Sequence, residues 1–123
     1  VDRTKLKSRV NTLRESMKAI DEGKSLIIFP EGGIITKHPP RMSSFKDGAF
    51  RTAIEKQIPV VPVTIPNNWI ILPDKEPLRL QRGTIRVIFH EPIETKGLSL
   101  DQIDELKNKV FETIDHELKN HEY

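Results

Sequence analysis

The sequence of 123 residues contains no cysteine, which excludes disulfide bridges, thiolate metal sites and a cysteine nucleophile. It also lacks any apolar run that approaches the roughly 20 residues needed to cross a bilayer. Its four histidines show none of the spacings typical of a metal site, so we predict no bound metal. The formal net charge of +2 is too small to indicate a nucleic-acid partner.

The length suits a single domain, and the balance of charged and apolar residues is that of a globular chain. The first residue is a valine rather than a methionine, and Val1 to Arg3 read like the end of a strand. We therefore expect residues 1–123 to be the C-terminal part of one domain in a longer polypeptide.

Three segments carry apolar residues at helical spacing. The first runs from Leu6 to Ile20 and is followed by Gly23, a residue typical of helix ends. The second is predicted from about Ser44 to Gln57, with Ser44 as its N-cap. The last begins at a capping box formed by Ser99 and Gln102. Its apolar stripe consists of Ile103, Leu106, Val110, Ile114 and Leu118.

Three further segments are predicted to be strands. Residues 25–29 form a continuous apolar run before Pro30, which is typical of a buried strand. Residues 58–65 are rich in β-branched side chains, although two prolines favour an edge or irregular strand. Residues 84–92 form the third strand. Helices and strands that alternate in this way indicate an α/β fold, with a mixed sheet flanked by helices.

A candidate site follows the first predicted strand, because ligands bind at the carboxyl ends of strands in open α/β sheets. Glu31 stands at that end, and Gly32 and Gly33 allow the backbone to turn sharply and approach a ligand. The residues alone leave two interpretations open, an anion-binding loop or a glycine-rich turn with solvated cations. The available cations are Lys37, Arg41 and Lys46.

Three blocks in this order, LIIFPEGG, FKDGAFRTA and IPVVPVTI, resemble consecutive blocks of the PlsC-type glycerolipid acyltransferases, the 1-acylglycerol-3-phosphate acyltransferases. Residues 29–32 match the start of the family motif F-P-E-G-T-R-S, whereas Gly33 and Ile34 replace its threonine and arginine. Residues 45–48 match the family segment F-K-x-G, and residues 61–63 match its V-P-V block. The resemblance extends from residue 1 to about residue 95.

The family's catalytic histidine and aspartate lie in an H-x-x-x-x-D motif that precedes these blocks. No histidine of this chain is followed five places later by an aspartate. The resemblance therefore implies a glycerol-3-phosphate acyltransferase-like fold whose N-terminal part is missing. We expect no catalytic residue within this chain, and no activity from the chain alone.

The resemblance implies transfer of a fatty acyl group to 1-acylglycerol-3-phosphate, that is, lysophosphatidic acid, in phospholipid biosynthesis. The donor would be acyl-CoA or acyl-carrier protein, and no cofactor is expected. An upstream histidine would act as general base on the acceptor hydroxyl. The resemblance also implies a membrane-surface partner at the cytoplasmic face of the cell membrane, reached peripherally or through a missing N-terminal anchor.

The resemblance assigns substrate binding to five residues. Arg3 would bind the acceptor phosphate, and Glu31, Gly32 and Gly33 would shape the acceptor end of the site. Because Ile34 replaces the family's arginine, we expect Lys46 to be the foremost replacement charge.

Val61, Pro62 and Val63 are expected to serve packing first and acyl-chain contact second. Residues 69–72 and the basic first helix either face lipid or form an ordinary loop and a solvated helix face. Two alternatives to the main function remain open, a non-catalytic lipid- or phosphate-binding module and an acyltransferase that acts on another lyso-lipid.

Overall fold

The structure is a computed structural model that describes residues 6–75 and 77–122. Its helices are α1 (Leu6–Asp21), α2 (Gly48–Lys56), α3 (Asn68–Ile71) and α4 (Ile103–Asn120), with a 3-10 turn at Leu100–Gln102 before α4. Its strands are β1 (Val63–Thr64) and β2 (Ile88–Phe89).

Helix α1 is confirmed, and so is its glycine ending. Gly23 has a φ of +81°, in the left-handed region that glycine adopts without strain. The Gly23 N–H donates to Ile20 O at 2.9 Å, and the Lys24 N–H donates to Ala19 O at 3.0 Å. These two bonds form a Schellman motif, which satisfies carbonyls that the helix end would otherwise leave without partners.

Helix α2 begins at Gly48, so the prediction that Ser44 caps it is wrong. The cause is Phe45, which is only 6% exposed and is drawn into the core before the helix starts. Its ring stacks on Phe50 at a centroid distance of 6.2 Å and meets the edge of Phe111 at 5.0 Å. Aromatic pairs at these separations stabilise a core beyond the area that they bury.

The core lies between α2 with its preceding segment and α4. Seven buried apolar side chains form it. They are Phe45, Phe50, Ala53, Ile54, Ile103, Leu106 and Val110. An ion pair adds to this contact, because Lys107 Nζ lies 2.9 Å from Asp47 Oδ1 and 3.2 Å from Asp104 Oδ1. The hydrogen bond to Asp47, followed by the one to Asp104, raises the pKa of Lys107 above its usual value.

The last helix follows its predicted start closely. The Ser99 N–H donates to Gln102 Oε1 at 3.0 Å, which is the return half of a capping box. The first residues form a 3-10 turn before α4 continues to Asn120.

The two strands pair antiparallel, with Val63 opposite Phe89 and Thr64 opposite Ile88. Val60 and Ile93 extend the pairing through an isolated bridge. The predicted α/β class is confirmed, although the described sheet is a single antiparallel pair and both strands are shorter than predicted. Prolines at positions 59 and 62 lack the N–H that a continuous ladder requires.

The prediction of a buried strand at residues 25–29 is wrong for the described structure. The segment forms no strand there, and Ile27 is 91% exposed and Phe29 75% exposed. A strand needs a neighbour to satisfy its backbone groups and cover its side chains, and the described residues place no strand beside this segment. The segment still ends where the candidate site begins.

Candidate functional site

The segment between Pro30 and Lys46 is closed into a loop by three hydrogen bonds. The Lys46 N–H donates to Pro30 O at 2.7 Å. Glu31 Oε2 accepts from the Ser43 N–H at 2.8 Å and from the Ser43 hydroxyl at 2.7 Å. We call residues 32–42 the basic loop, and the hydrogen-bonded pair of segments 30–31 and 43–46 its neck. The neck joins two of the sequence blocks that are separated along the chain.

Gly32 makes the turn out of the neck. It has a φ of +77°, and its N–H donates to Phe29 O at 3.1 Å. A Cβ at this position would lie 3.6 Å from Lys46 Cγ and 3.8 Å from Lys46 Cε. The Lys46 stem therefore lies over Gly32, and the structure brings these two predicted residues into contact. Gly33 has neither feature, because its φ is not positive and a Cβ there would meet no atom within 4 Å.

Positive charge dominates the basic loop and its neck. Residues 32–46 contain two lysines, one arginine and one histidine but no acidic residue. Lys37, Arg41 and Lys46 are exposed, and the described structure shows no ion pair for any of them. Because Ser43 already engages Glu31, an anion at this loop would meet cations that have no internal partner.

A groove of about 470 Å³ lies between the basic loop and the second half of α4. Its lining is mainly apolar, and Arg41 contributes a charge from the loop side. Lys119, on the helix side, is paired with Asp115 at 2.6 Å. The full lining consists of Pro40, Arg41, Met42, Phe111, Asp115, Leu118 and Lys119.

The V-P-V block enters the sheet. Pro62 is buried, Val63 is half-buried in β1 and Val61 is 44% exposed. These positions fit the predicted packing role for Pro62 and Val63. Contact of any of the three with an acyl chain stays a prediction, and so does the role of Arg3, which lies outside the described residues.

The other residue types that could carry chemistry make structural contacts in the described part of the chain. His90 Nε2 lies 2.7 Å from the hydroxyl of the buried Thr64, so this histidine is part of the sheet packing. In the described ranges, no group of three or more histidine and acidic side chains could hold a metal ion. Over the same residues, no helix combines the length and apolar character needed to span a bilayer.

Sequence reasoning missed Ser43. The residue pairs with Glu31 across twelve positions, and such a contact leaves no periodicity or cap pattern in the sequence. The neighbouring Ser44 was predicted to be a helix cap because it stands before an apolar repeat. The only available signal was that a carboxylate at the end of a segment predicted to be buried needs a donor.

The packing of helices on a small antiparallel sheet, with a glycine turn leading into a basic loop, defines a mixed α/β domain with a candidate anion site. The family model described as Acyltransferase matches residues 1–66, and the chain belongs to this family.

Named relatives agree with this membership. The chain is 36% identical over 109 residues to the 1-acyl-sn-glycerol-3-phosphate acyltransferase BAT2, chloroplastic, of Brassica napus, covering 88% of this chain and 30% of the relative. It is 32% identical to the 1-acyl-sn-glycerol-3-phosphate acyltransferase of Saccharomyces cerevisiae, covering 97% of this chain and 39% of the relative.

A solved structure has the same fold. It is the 1-acyl-sn-glycerophosphate (LPA) acyltransferase PlsC from Thermotoga maritima, with a TM-score of 0.72 and 30% sequence identity. The match covers 90% of this chain and 45% of the solved chain. This chain therefore spans less than half the length of each of these three proteins.

The two neighbouring glycines give a matched test of the turn. Gly32→Ala should lower the free energy of unfolding by about 1 kcal/mol, because a Cβ is strained at positive φ. Gly33→Ala should change it by less than about 0.5 kcal/mol. Urea unfolding of both variants measures the difference. Equal effects at the two positions would contradict the assigned turn geometry.

Proposed function

We propose that this chain is the C-terminal part of a PlsC-type acyltransferase domain. The domain transfers a fatty acyl group from acyl-CoA or acyl-carrier protein to 1-acylglycerol-3-phosphate in phospholipid biosynthesis. The observation that carries the proposal is the neck, which joins the F-P-E-G block to the F-K-x-G block around Glu31 and Lys46. The names of the relatives support the same reaction.

The exposed apolar segments support the proposal that another part of the same domain precedes this chain. Ile27 and Phe29 are highly exposed, and Ile85 and Val87 before β2 are about half exposed. Apolar segments of this kind are normally covered on both faces in an α/β sheet. In our proposal, the polypeptide before residue 1 supplies this cover.

The same preceding polypeptide supplies the catalytic histidine and aspartate. The histidine removes the proton from the acceptor hydroxyl, and the resulting alkoxide attacks the thioester carbonyl. Because the acceptor attacks the thioester directly, no acyl-enzyme forms. The donor leaves as its thiol, with the proton that the histidine removed from the hydroxyl. The chain described here binds and orients the acceptor, a contribution that comes from positioning rather than proton transfer.

Glu31, Gly32 and Lys46 form the acceptor-binding part of the site. Gly32 has no side chain, so the Lys46 stem reaches over the turn, and its ammonium serves as a point charge for phosphate. This charge replaces the family arginine, whose position is occupied by Ile34. In the same proposal, Gly33 contributes backbone N–H, and Arg3 meets the phosphate bidentately.

The departures at Gly33 and Ile34 also favour a second acceptor class. A lyso-lipid with less phosphate charge would need fewer cations than lysophosphatidate does. The reaction type, the donor and the catalytic groups would stay the same. The headgroup preference of the complete enzyme distinguishes the two acceptors.

We propose that the partner surface is the cytoplasmic face of the cell membrane, reached peripherally or through a preceding anchor. Leu78 is 67% exposed and Leu80 is 74% exposed. Both lie in residues 77–90, a stretch that contains three arginines and no acidic residue. Exposed leucines among arginines fit an anionic lipid surface. Trp69 is half-buried, and its Nε1 donates to Pro66 O at 2.9 Å, so the leucines are the better lipid contacts.

Because the proposal places the catalytic histidine and aspartate before residue 1, it predicts that the 123-residue chain alone transfers no acyl group. Incubation with acyl-CoA and lysophosphatidate should release no thiol above the buffer rate, whereas the complete polypeptide should release it. Thiol release by the chain alone that depends on lysophosphatidate would refute this placement. A complete polypeptide that binds lysophosphatidate without turnover would favour the non-catalytic module.

The role of Lys46 predicts that Lys46→Ala raises the KM for lysophosphatidate about tenfold in the complete enzyme, because a charged contact to phosphate is lost. Lys46→Arg should keep the KM within about threefold of wild type, since the positive charge is retained. Lys109→Ala removes an exposed lysine of α4 and serves as the matched control. An unchanged KM in Lys46→Ala would eliminate Lys46 as the replacement charge.

The membrane proposal predicts that the chain floats with phosphatidylglycerol vesicles more than with phosphatidylcholine vesicles. The double variant Leu78→Ser, Leu80→Ser should bind at least about tenfold more weakly, because two apolar side chains are lost from the contact. Leu100→Ser, at an exposed leucine before α4, is the control. Equal binding to both vesicle types, or no loss in the double variant, would count against this surface.

A further inference from the structure

We propose that Ser43 is a positioning residue that sets the Glu31 carboxylate for a phosphomonoester acceptor. The inference rests on the proposed function and goes beyond it, because Ser43 belongs to none of the matched sequence blocks. Ser43 acts through Glu31 and need not touch substrate itself.

The geometry distinguishes Ser43 from an ordinary loop serine. Its N–H and its hydroxyl both donate to one atom, Glu31 Oε2, at 2.8 and 2.7 Å. Hydrogen bonds to an ionised carboxylate are among the strong ones. Within the described residues, Ser43 is the only hydrogen-bond partner of Glu31, so Oε1 stays available to a ligand group.

The donor of these bonds is itself fixed. Ser43 lies two residues before Phe45, whose side chain is buried between Phe50 and Phe111. The Lys46 N–H closes the same stretch onto Pro30 O. Both bonds to Glu31 are partly shielded from water. The carboxylate is therefore held by a stretch that the core anchors, and not by a solvated loop.

The consequence for binding is preorganisation. A carboxylate that is fixed before the acceptor arrives loses little rotational freedom when it accepts a hydrogen bond from an acceptor hydroxyl, and the phosphate is left to Lys46. Without the serine hydroxyl, Glu31 keeps the Ser43 N–H as a partner but loses one of its two constraints. The effect should therefore concern the acceptor and not the acyl donor.

The test uses the complete polypeptide that contains this chain. Ser43→Ala should raise the KM for lysophosphatidate about tenfold while the KM for acyl-CoA stays within about twofold. Ser43→Thr keeps a hydroxyl and should restore the wild-type KM. Ser44→Ala removes an adjacent exposed serine, for which no side-chain hydrogen bond exists in the described structure, and should have no effect.

A double-mutant cycle separates positioning from a general loss of stability. If Ser43 acts through Glu31, Ser43→Ala should have almost no further effect in the Glu31→Ala background. Full additivity of the two substitutions would overturn the assignment, and so would an unchanged lysophosphatidate KM in Ser43→Ala. If Ser43→Ala does not fold, Ser43→Cys, with a weaker donor of similar size, should give an intermediate KM.

The assay of the wild-type polypeptide distinguishes failure of this inference from failure of the proposed function. A complete polypeptide that acylates lysophosphatidate but is insensitive to Ser43→Ala retains the proposed function and loses this inference. A complete polypeptide that acylates no lysophospholipid loses both.

Discussion

The burial of Phe45 is the constraint on which the candidate site depends. Its ring is held by Phe50 and Phe111, and this contact fixes the stretch that leads into α2. Ser43 and Lys46 flank the ring, so their backbone positions are set by the core. Through their bonds to Glu31 and Pro30, apolar packing between two helices determines where a polar loop begins and ends. In this structure, the geometry of the candidate site follows from core packing.

The helices could be predicted because their signals are local. The apolar repeat and Gly23 define α1, and the Ser99–Gln102 pair defines the approach to α4. The conformation of residues 25–29 could not be predicted in the same way, because a run of apolar residues describes only a surface that needs covering. Whether it becomes a strand depends on a neighbour that residues 6–75 and 77–122 do not supply. The predicted start of α2 was wrong for a related reason. A distant aromatic contact outweighed the local preference of Ser44 for the N-cap position.

The residues of the candidate site differ in the same way, because only some of them give a signal in the sequence. Gly32 and Lys46 were recognisable as members of sequence blocks, and the structure places the lysine stem over the glycine. Ser43 was not recognisable, because its bond to Glu31 crosses the whole basic loop. The residue types at a loop entrance thus indicate which side chains are charged. The side chains that position those charged groups can be identified only from the three-dimensional structure.

The exposed segment at residues 25–29 has a consequence for the chain as a molecule in solution. Its apolar side chains lie together on the surface, and an exposed apolar segment of this kind is the type of surface through which two copies of a chain can pair. Such pairing is second order in protein, so self-association increases with concentration even where folding is complete. For the isolated chain, the apolar segment that precedes Glu31 is thus a surface through which we expect self-association.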